Sequence, residues 1–274
     1  DSPKREAFPR YMDTFGETPR GLHAIRVLDG KTGFTLEGLR TAAYDPGLPA
    51  FDRLIPRLTA AYEAAPATQK AGLAAQVAAL QGWDRRWSAA STETSLAVFW
   101  AEALYARAMR PGRTTLQIYN RMIEESPPAD YLAALAEASD RLVADFGTWK
   151  TPWGEINRFQ RLDGAIVQTF RDDGPSVAVP FTAGTWGSLA SFASRRYPGT
   201  KRYYGTSGNS FVAVVEFGPR VKAVAISAGG ESGDPSSKHF NDQADRYARA
   251  ALREVYFYPE QLEGRTERRY RPGE

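Results

Sequence analysis

The sequence predicts an α+β fold, and three observations carry that prediction. Apolar residues recur at helical spacing through the first half, short β-branched runs between glycine and proline clusters fill the second, and one helical stripe returns near the end. The change of pattern falls at Gly147. Residues 1–147 are therefore expected to form a strap and a helical region, and residues 148–274 a mainly antiparallel β-rich region closed by a carboxyl-terminal helix.

The first twenty residues are rich in proline, glycine and charge, which suits an extended strap over a surface. Helical spacing starts near Thr35, where Leu36, Leu39 and Ala43 share a face. After Pro49 the stripe Phe51, Leu54, Ile55, Leu58 and Tyr62 predicts a second helix, and Leu73, Val77 and Leu80 predict a third. Another should open near Ser91 and carry Leu96, Phe99, Trp100, Ala103 and Leu104. The last of this half should start at Ser126 with Pro127 in its first turn and stop at Gly147.

Beyond Gly147, the segments Ala165–Phe170, Val177–Phe181 and Leu189–Ser194 are strand candidates set between turn residues. Phe211–Phe217 and Arg220–Ile226, split by Gly218-Pro219, are apolar enough to predict two buried strands with a tight connection. Phe240, Ala244, Tyr247 and Ala251 then mark the apolar face of a final helix lying on the sheet.

Composition removes several function classes. The 35 basic residues nearly balance the 32 acidic ones, and the net charge of +3 is scattered, so no phosphate-binding face is nominated and no nucleic-acid partner is expected. With no cysteine there is no disulfide, thiolate nucleophile or cysteine-based zinc site, and two histidines, His23 and His239, exclude a histidine-rich metal centre. No window reaches the roughly 18 apolar residues a membrane helix needs. No cofactor and no metal is expected. The sequence opens on Asp1 rather than Met, which predicts a segment of a longer polypeptide.

Candidate chemistry sits mainly near the end. The turn Ala228-Gly229-Gly230-Glu231-Ser232-Gly233-Asp234 follows a strand but lacks the Lys-Ser/Thr pair of a phosphate loop, so a turn needing positive φ is the better reading. Glu231 and Asp234 are more simply turn carboxylates than a glycosidase pair or calcium ligands. His239, just ahead of the final helix, is placed either as a general base or as a structural cap; no serine and acid nearby complete a triad. His23, between Leu22 and Ile25, reads as a packed or half-exposed helix residue. Trp149, Trp153, Phe159, Trp186, Tyr203 and Tyr204 line a ligand groove or, more simply, pack a core.

The order of landmarks goes further than any single motif. Gly33-Phe34-Thr35-Leu36, Ala43-Tyr44-Asp45, Leu48-Pro49-Ala50-Phe51, Gly82-Trp83-Asp84, Thr148 to Glu155, and the block from Gly205 through Lys238-His239-Phe240 to Pro259 together resemble the penicillin-acylase family of amide hydrolases. The likeness is greatest to the aculeacin and acyl-homoserine-lactone acylases. It implies the carboxyl-terminal part of the large chain of an N-terminal-nucleophile hydrolase, an αββα fold of stacked antiparallel sheets covered by helices. In such enzymes a serine exposed by self-cleavage attacks an amide carbon while its own α-amino group takes the proton.

No nucleophile and no oxyanion-hole asparagine of the family's pattern lies in this segment, and most of the acyl pocket is expected elsewhere. By resemblance Arg20 matches an arginine that steadies the oxyanion site; the other reading is a surface arginine paired with Glu17 or Asp13. The resemblance further implies partners, namely the small chain, the amino-terminal part of the large chain and a small acylated amide substrate, and a periplasmic or secreted location. The segment alone is expected to be inert. The alternative reading is a noncatalytic carbohydrate- or peptide-binding module.

Overall fold

The computed structural model describes Ala7, Tyr11, residues 16–271 and Gly273, so most of the expected strap, with Asp1 and Asp13, lies outside the described residues. The fold is α+β, as the patterning predicts. The helices are α1 (Pro19–Leu28), α2 (Leu36–Ala43), α3 (Ala50–Ala64), α4 (Ala67–Lys70), α5 (Ala74–Gly82), α6 (Thr92–Ala108), α7 (Thr115–Glu124), α8 (Pro128–Phe146) and α9 (Trp153–Ile156). Strands β1 (Asn157–Phe159), β2 (Val177–Ala178), β3 (Phe192–Arg196), β4 (Tyr203–Gly208), β5 (Phe211–Glu216) and β6 (Lys222–Ser227) follow, then α10 (Ala244–Ala248) and β7 (Arg253–Glu254).

Helix α6 is the centre of the helical half. Ser91 caps it, its Oγ accepting the Thr94 N–H, and Leu96, Phe99, Trp100 and Leu104 are buried against α8 and its neighbours. Each such side chain contributes about 1.5–3 kcal/mol through burial. Helix α8 starts on Pro128, two residues after the expected opening, and ends on Gly147 at φ 84°. The core does not stop at Gly147, because Trp153, Ile156, Trp186 and Tyr203 are buried in the same cluster as the helices.

Two helices of this half, α4 and α7, were not foreseen, and α1 was expected only as the helix that carries His23. Helix α1 begins at Pro19, where the Thr18 side chain accepts the Gly21 N–H. Helix α7 opens on a reciprocal capping box between Thr114 and Gln117, a Thr-x-x-Gln signal present in the sequence.

The β half forms two sheets. One runs β2-β1-β4-β3, with β1 and β4 parallel and the other pairs antiparallel; the other is an antiparallel β5-β6-β7. Several expectations need correction. Residues 165–170 form an irregular arch rather than a strand, because Asp163 Oδ1 accepts the Ala165 N–H and Gln168 folds back onto Asp163 and Leu162. The 177–181 strand shortens to two residues because the buried Asn157 amide binds the carbonyls of Val179 and Phe181 at 2.8 and 3.0 Å, and Pro180 offers no N–H. The 189–194 strand moves to Phe192–Arg196.

The closing helix is also shorter than its stripe. Phe240, Ala244 and Tyr247 are buried as expected, but only Ala244–Ala248 is helical. Ala250 turns left-handed at φ 54°, its N–H reaching Tyr247 O and that of Ala251 reaching Arg246 O, the Schellman ending with alanine where glycine is usual. Strands β5 and β6 fall where predicted, yet β5 is not buried on both faces: Phe211 and Val215 are exposed.

Candidate functional site

Helix α1 brings Arg20 to the loop between the short 3₁₀ turn Gly184–Trp186 and β3. The guanidinium donates to Leu189 O from Nη2 at 2.7 Å and from Nε at 3.3 Å, and Nη2 also approaches Asn209 Oδ1 at 3.4 Å. Glu17 does not pair with it, and Asp13 lies outside the described residues. Among the described residues Arg20 makes no ion pair, so its charge faces neutral oxygens only. Close approach explains the loop's glycines. A side chain at Gly184 would meet Arg20 Cδ at 3.0 Å, and one at Gly187, where φ is +105°, would meet Pro49 Cδ at 2.4 Å.

The loop itself is tightly built. Ser191 Oγ accepts the Gly184 N–H, Asn209 Oδ1 accepts the Ser191 N–H at 2.7 Å, and Ser188 Oγ donates to Ala190 O. Arg20 and Asn209 also border a cleft of about 260 Å³ whose other walls are apolar side chains of α1 and α2 with Leu189, Ala190 and Val212.

One turn along α1, His23 is buried. Its Nδ1 lies 2.8 Å from Gly187 O and its Nε2 lies 3.0 Å from Asp45 Oδ1, so both ring nitrogens face acceptors. Burial pushes the Asp45 carboxyl up, but the Gly47 N–H, His23 and Arg86 together outweigh it and hold the group below the usual carboxylate range. Of the two placements expected for His23 on a helix, packed or half-exposed, the structure has the packed one, with two specific partners that the sequence did not disclose.

The glycine-rich turn after β6 is a structural turn. Gly229 has φ +91°, and a side chain on Gly230 would strike His239 O at 2.2 Å. The Ser232 N–H is donated to that same carbonyl. Glu231 is held below its ordinary range first by the Ser227 hydroxyl, then by Gln243, with Arg253 adding to both. Asp234 caps Ser236. The two carboxylates serve separate turns.

His239 lies exposed between Asp242 Oδ2 at 2.8 Å and Glu267 Oε2 at 3.0 Å, and these two bonds, Asp242 first, raise its pKa. With a carboxylate at each ring nitrogen, His239 ties the carboxyl-terminal segment to the start of the α10 region, the structural role of the two expected for it. The aromatic residues mainly serve the core: Trp153, Trp186, Tyr203 and Tyr204 are buried, Lys150 covers Trp149, and Phe159 lines a cavity of about 390 Å³ shared with Phe170, Phe192 and Tyr247. Among the described residues no cluster of histidine, aspartate and glutamate is placed to hold a metal ion, and no helix is long and apolar enough to cross a membrane.

Arg20 is the candidate of the sequence that the structure joins to a built loop, and Asn209, Asp45 and Gly187 are the partners that spacing did not reveal. The family model for penicillin amidase matches residues 1–264. Among solved structures the chain is similar to a thermostable penicillin G acylase from Alcaligenes faecalis at 16% sequence identity and a TM-score of 0.44, over 96% of this chain and 53% of the other. It spans about half the length of that acylase. With a family match across nearly all of its residues, this chain belongs to the penicillin amidase family.

Proposed function

We propose that the chain is the carboxyl-terminal part of the large chain of an acylase that hydrolyses the amide bond between an acyl group and an amine, on an N-terminal-nucleophile αββα fold. The nucleophile is a serine on polypeptide outside residues 1–274. Its hydroxyl oxygen bonds to the amide carbon while its free α-amino group accepts the hydroxyl proton. The carbon–nitrogen bond then breaks and that proton leaves with the amine. Water attacks the resulting ester, releasing the acid and restoring the serine. Acyl-homoserine lactones, lipopeptides and β-lactams share the bond this chemistry needs. A periplasmic or secreted location goes with the family.

The observation that carries the reading is Arg20. Its guanidinium is held by a carbonyl and an amide oxygen, with no carboxylate among the described residues paired to it, so its charge is available to an oxyanion site next to it. Preorganised charge of this kind strengthens selectively as negative charge develops on the substrate oxygen. The exposed apolar side chains of β5 fit a surface on which the rest of the acylase lies.

The test uses the complete protein that carries this chain, with an acyl-anilide as substrate. It should release the chromogenic amine, and Arg20→Ala should lower kcat by about 10². Residues 1–274 alone should do nothing. No release by the complete protein removes the acylase reading, and a change within twofold on Arg20→Ala returns Arg20 to the surface.

A further inference from the structure

We infer that His23 is a positioning residue for Arg20, a role that rests on the reading of Arg20 given above. Residues three apart on a helix lie on one face, and here that face meets one loop. Arg20 binds the carbonyl of Leu189 and His23 the carbonyl of Gly187, two residues apart on the same turn. The two contacts differ in strength. Arg20 is exposed on a long side chain, whereas the His23 bond is buried, where a hydrogen bond is costly to lose.

The far side of the ring is fixed as well. Asp45 Oδ1 lies 3.0 Å from His23 Nε2 and accepts the Gly47 N–H at 2.9 Å, and Arg86 approaches Asp45 Oδ2 at 3.4 Å. Gly47 leaves no slack, since a Cβ there would sit 2.9 Å from His23 Nε2. Gly187 is equally confined by Pro49. Asp45, His23 and Gly187 O therefore set where α1 stands along the loop, and with it where the guanidinium one turn earlier points. A displacement of about 1 Å at a catalytic group is enough to cost a large factor in rate.

A double-mutant cycle on the complete protein tests this, with kcat and KM measured on the acyl-anilide. His23→Leu should lower kcat about tenfold or more and leave KM within about twofold. In an Arg20→Ala background the same substitution should lower kcat no further, while its effect on the melting temperature stays the same. His23→Asn places an amide N–H where Nδ1 stood and should recover most of kcat. His23→Gln, which reaches only the Asp45 side, should not. If His23→Leu fails to fold, the Asn and Gln pair carries the comparison, and equal kcat values for the two overturn the proposal. Losses that multiply in the double variant overturn it too, leaving the reading of Arg20 intact. If Arg20→Ala alone stays within twofold, that reading falls and the positioning role goes with it.

Discussion

Glu102 is a carboxyl group placed where it titrates near neutrality. It sits on α6, facing Tyr203 of β4, whose hydroxyl donates to Glu102 Oε2 at 2.8 Å. Arg141 stacks over the rings of Phe99 and Tyr203 nearby. Burial dominates and drives the pKa up from 4.5 to about 7, with the Tyr203 bond and the Arg141 charge pulling the other way. A rise of that size corresponds to about 3 kcal/mol between the two protonation states. The residue keeps some exposure, so water screens part of it and about 1–2 kcal/mol is expected.

The sign follows from proton counts. Between pH 4.5 and about 7 the folded chain binds a proton at Glu102 that the unfolded chain has released. Stability is therefore full below pH 4.5 and declines as pH rises through about 7. Glu102→Gln keeps an oxygen for the Tyr203 hydroxyl and never ionises. Urea unfolding followed by tryptophan fluorescence should show the variant gaining about 1–2 kcal/mol on the parent at pH 8 relative to pH 5. Other titrating groups are common to both proteins and cancel in that difference. The same free-energy gap at both pH values would refute the argument and place Glu102 in contact with bulk water.

Two substitutions test the backbone geometry. Gly187→Ala combines a left-handed φ with a Cβ driven into Pro49, and should destabilise by about 2–4 kcal/mol; a melting temperature equal to the parent's would show that the loop moves freely. Ala250→Gly relieves the left-handed ending of α10 and should stabilise by about 0.5–1 kcal/mol, an upward shift of about 1–4 °C in melting temperature; a downward shift would mean that the alanine methyl is a packing contact.

Local signals were legible where the residues that make an element lie close together in sequence. The apolar stripes of α3, α6 and α8, the Ser91 cap and the Gly147 ending are decided within a turn or two, and so is the position of β5 and β6. Prediction failed where a distant or side-chain partner decided the matter. The 177–181 strand gives way to the Asn157 amide twenty-odd residues away, and the arch at 165–170 is shaped by the Gln168 side chain. The site was the least legible part. Family resemblance nominated Arg20, but its carbonyl partner is 169 residues further on and its amide partner 189. Neither Leu189 O nor Gly187 O advertises itself in composition, because every residue has a carbonyl.

A disagreement between sequence and structure about burial on β5 bears on function. From its residues β5 should be covered on both sides, since Phe211, Ala213 and Val215 on one face alternate with Val212 and Val214 on the other. The second set is covered, with Val214 buried and Val212 packed against the cluster that holds Phe181 and Ile226. On the first face Phe211 pairs with Ser227 and Val215 with Ala223, small neighbours that leave the large side chains open to solvent. Phe217, next in that alternation, is 85% exposed. A strand with this composition at the edge of a sheet is a liability unless something lies on it. Under the proposed reading the rest of the acylase does. Replacing Phe211 and Val215 by threonine should then leave the stability of residues 1–274 within about 0.5 kcal/mol, as for exposed positions, while weakening the complete enzyme. If the two lose stability equally, this face belongs to the chain's own fold and the cover must be sought elsewhere.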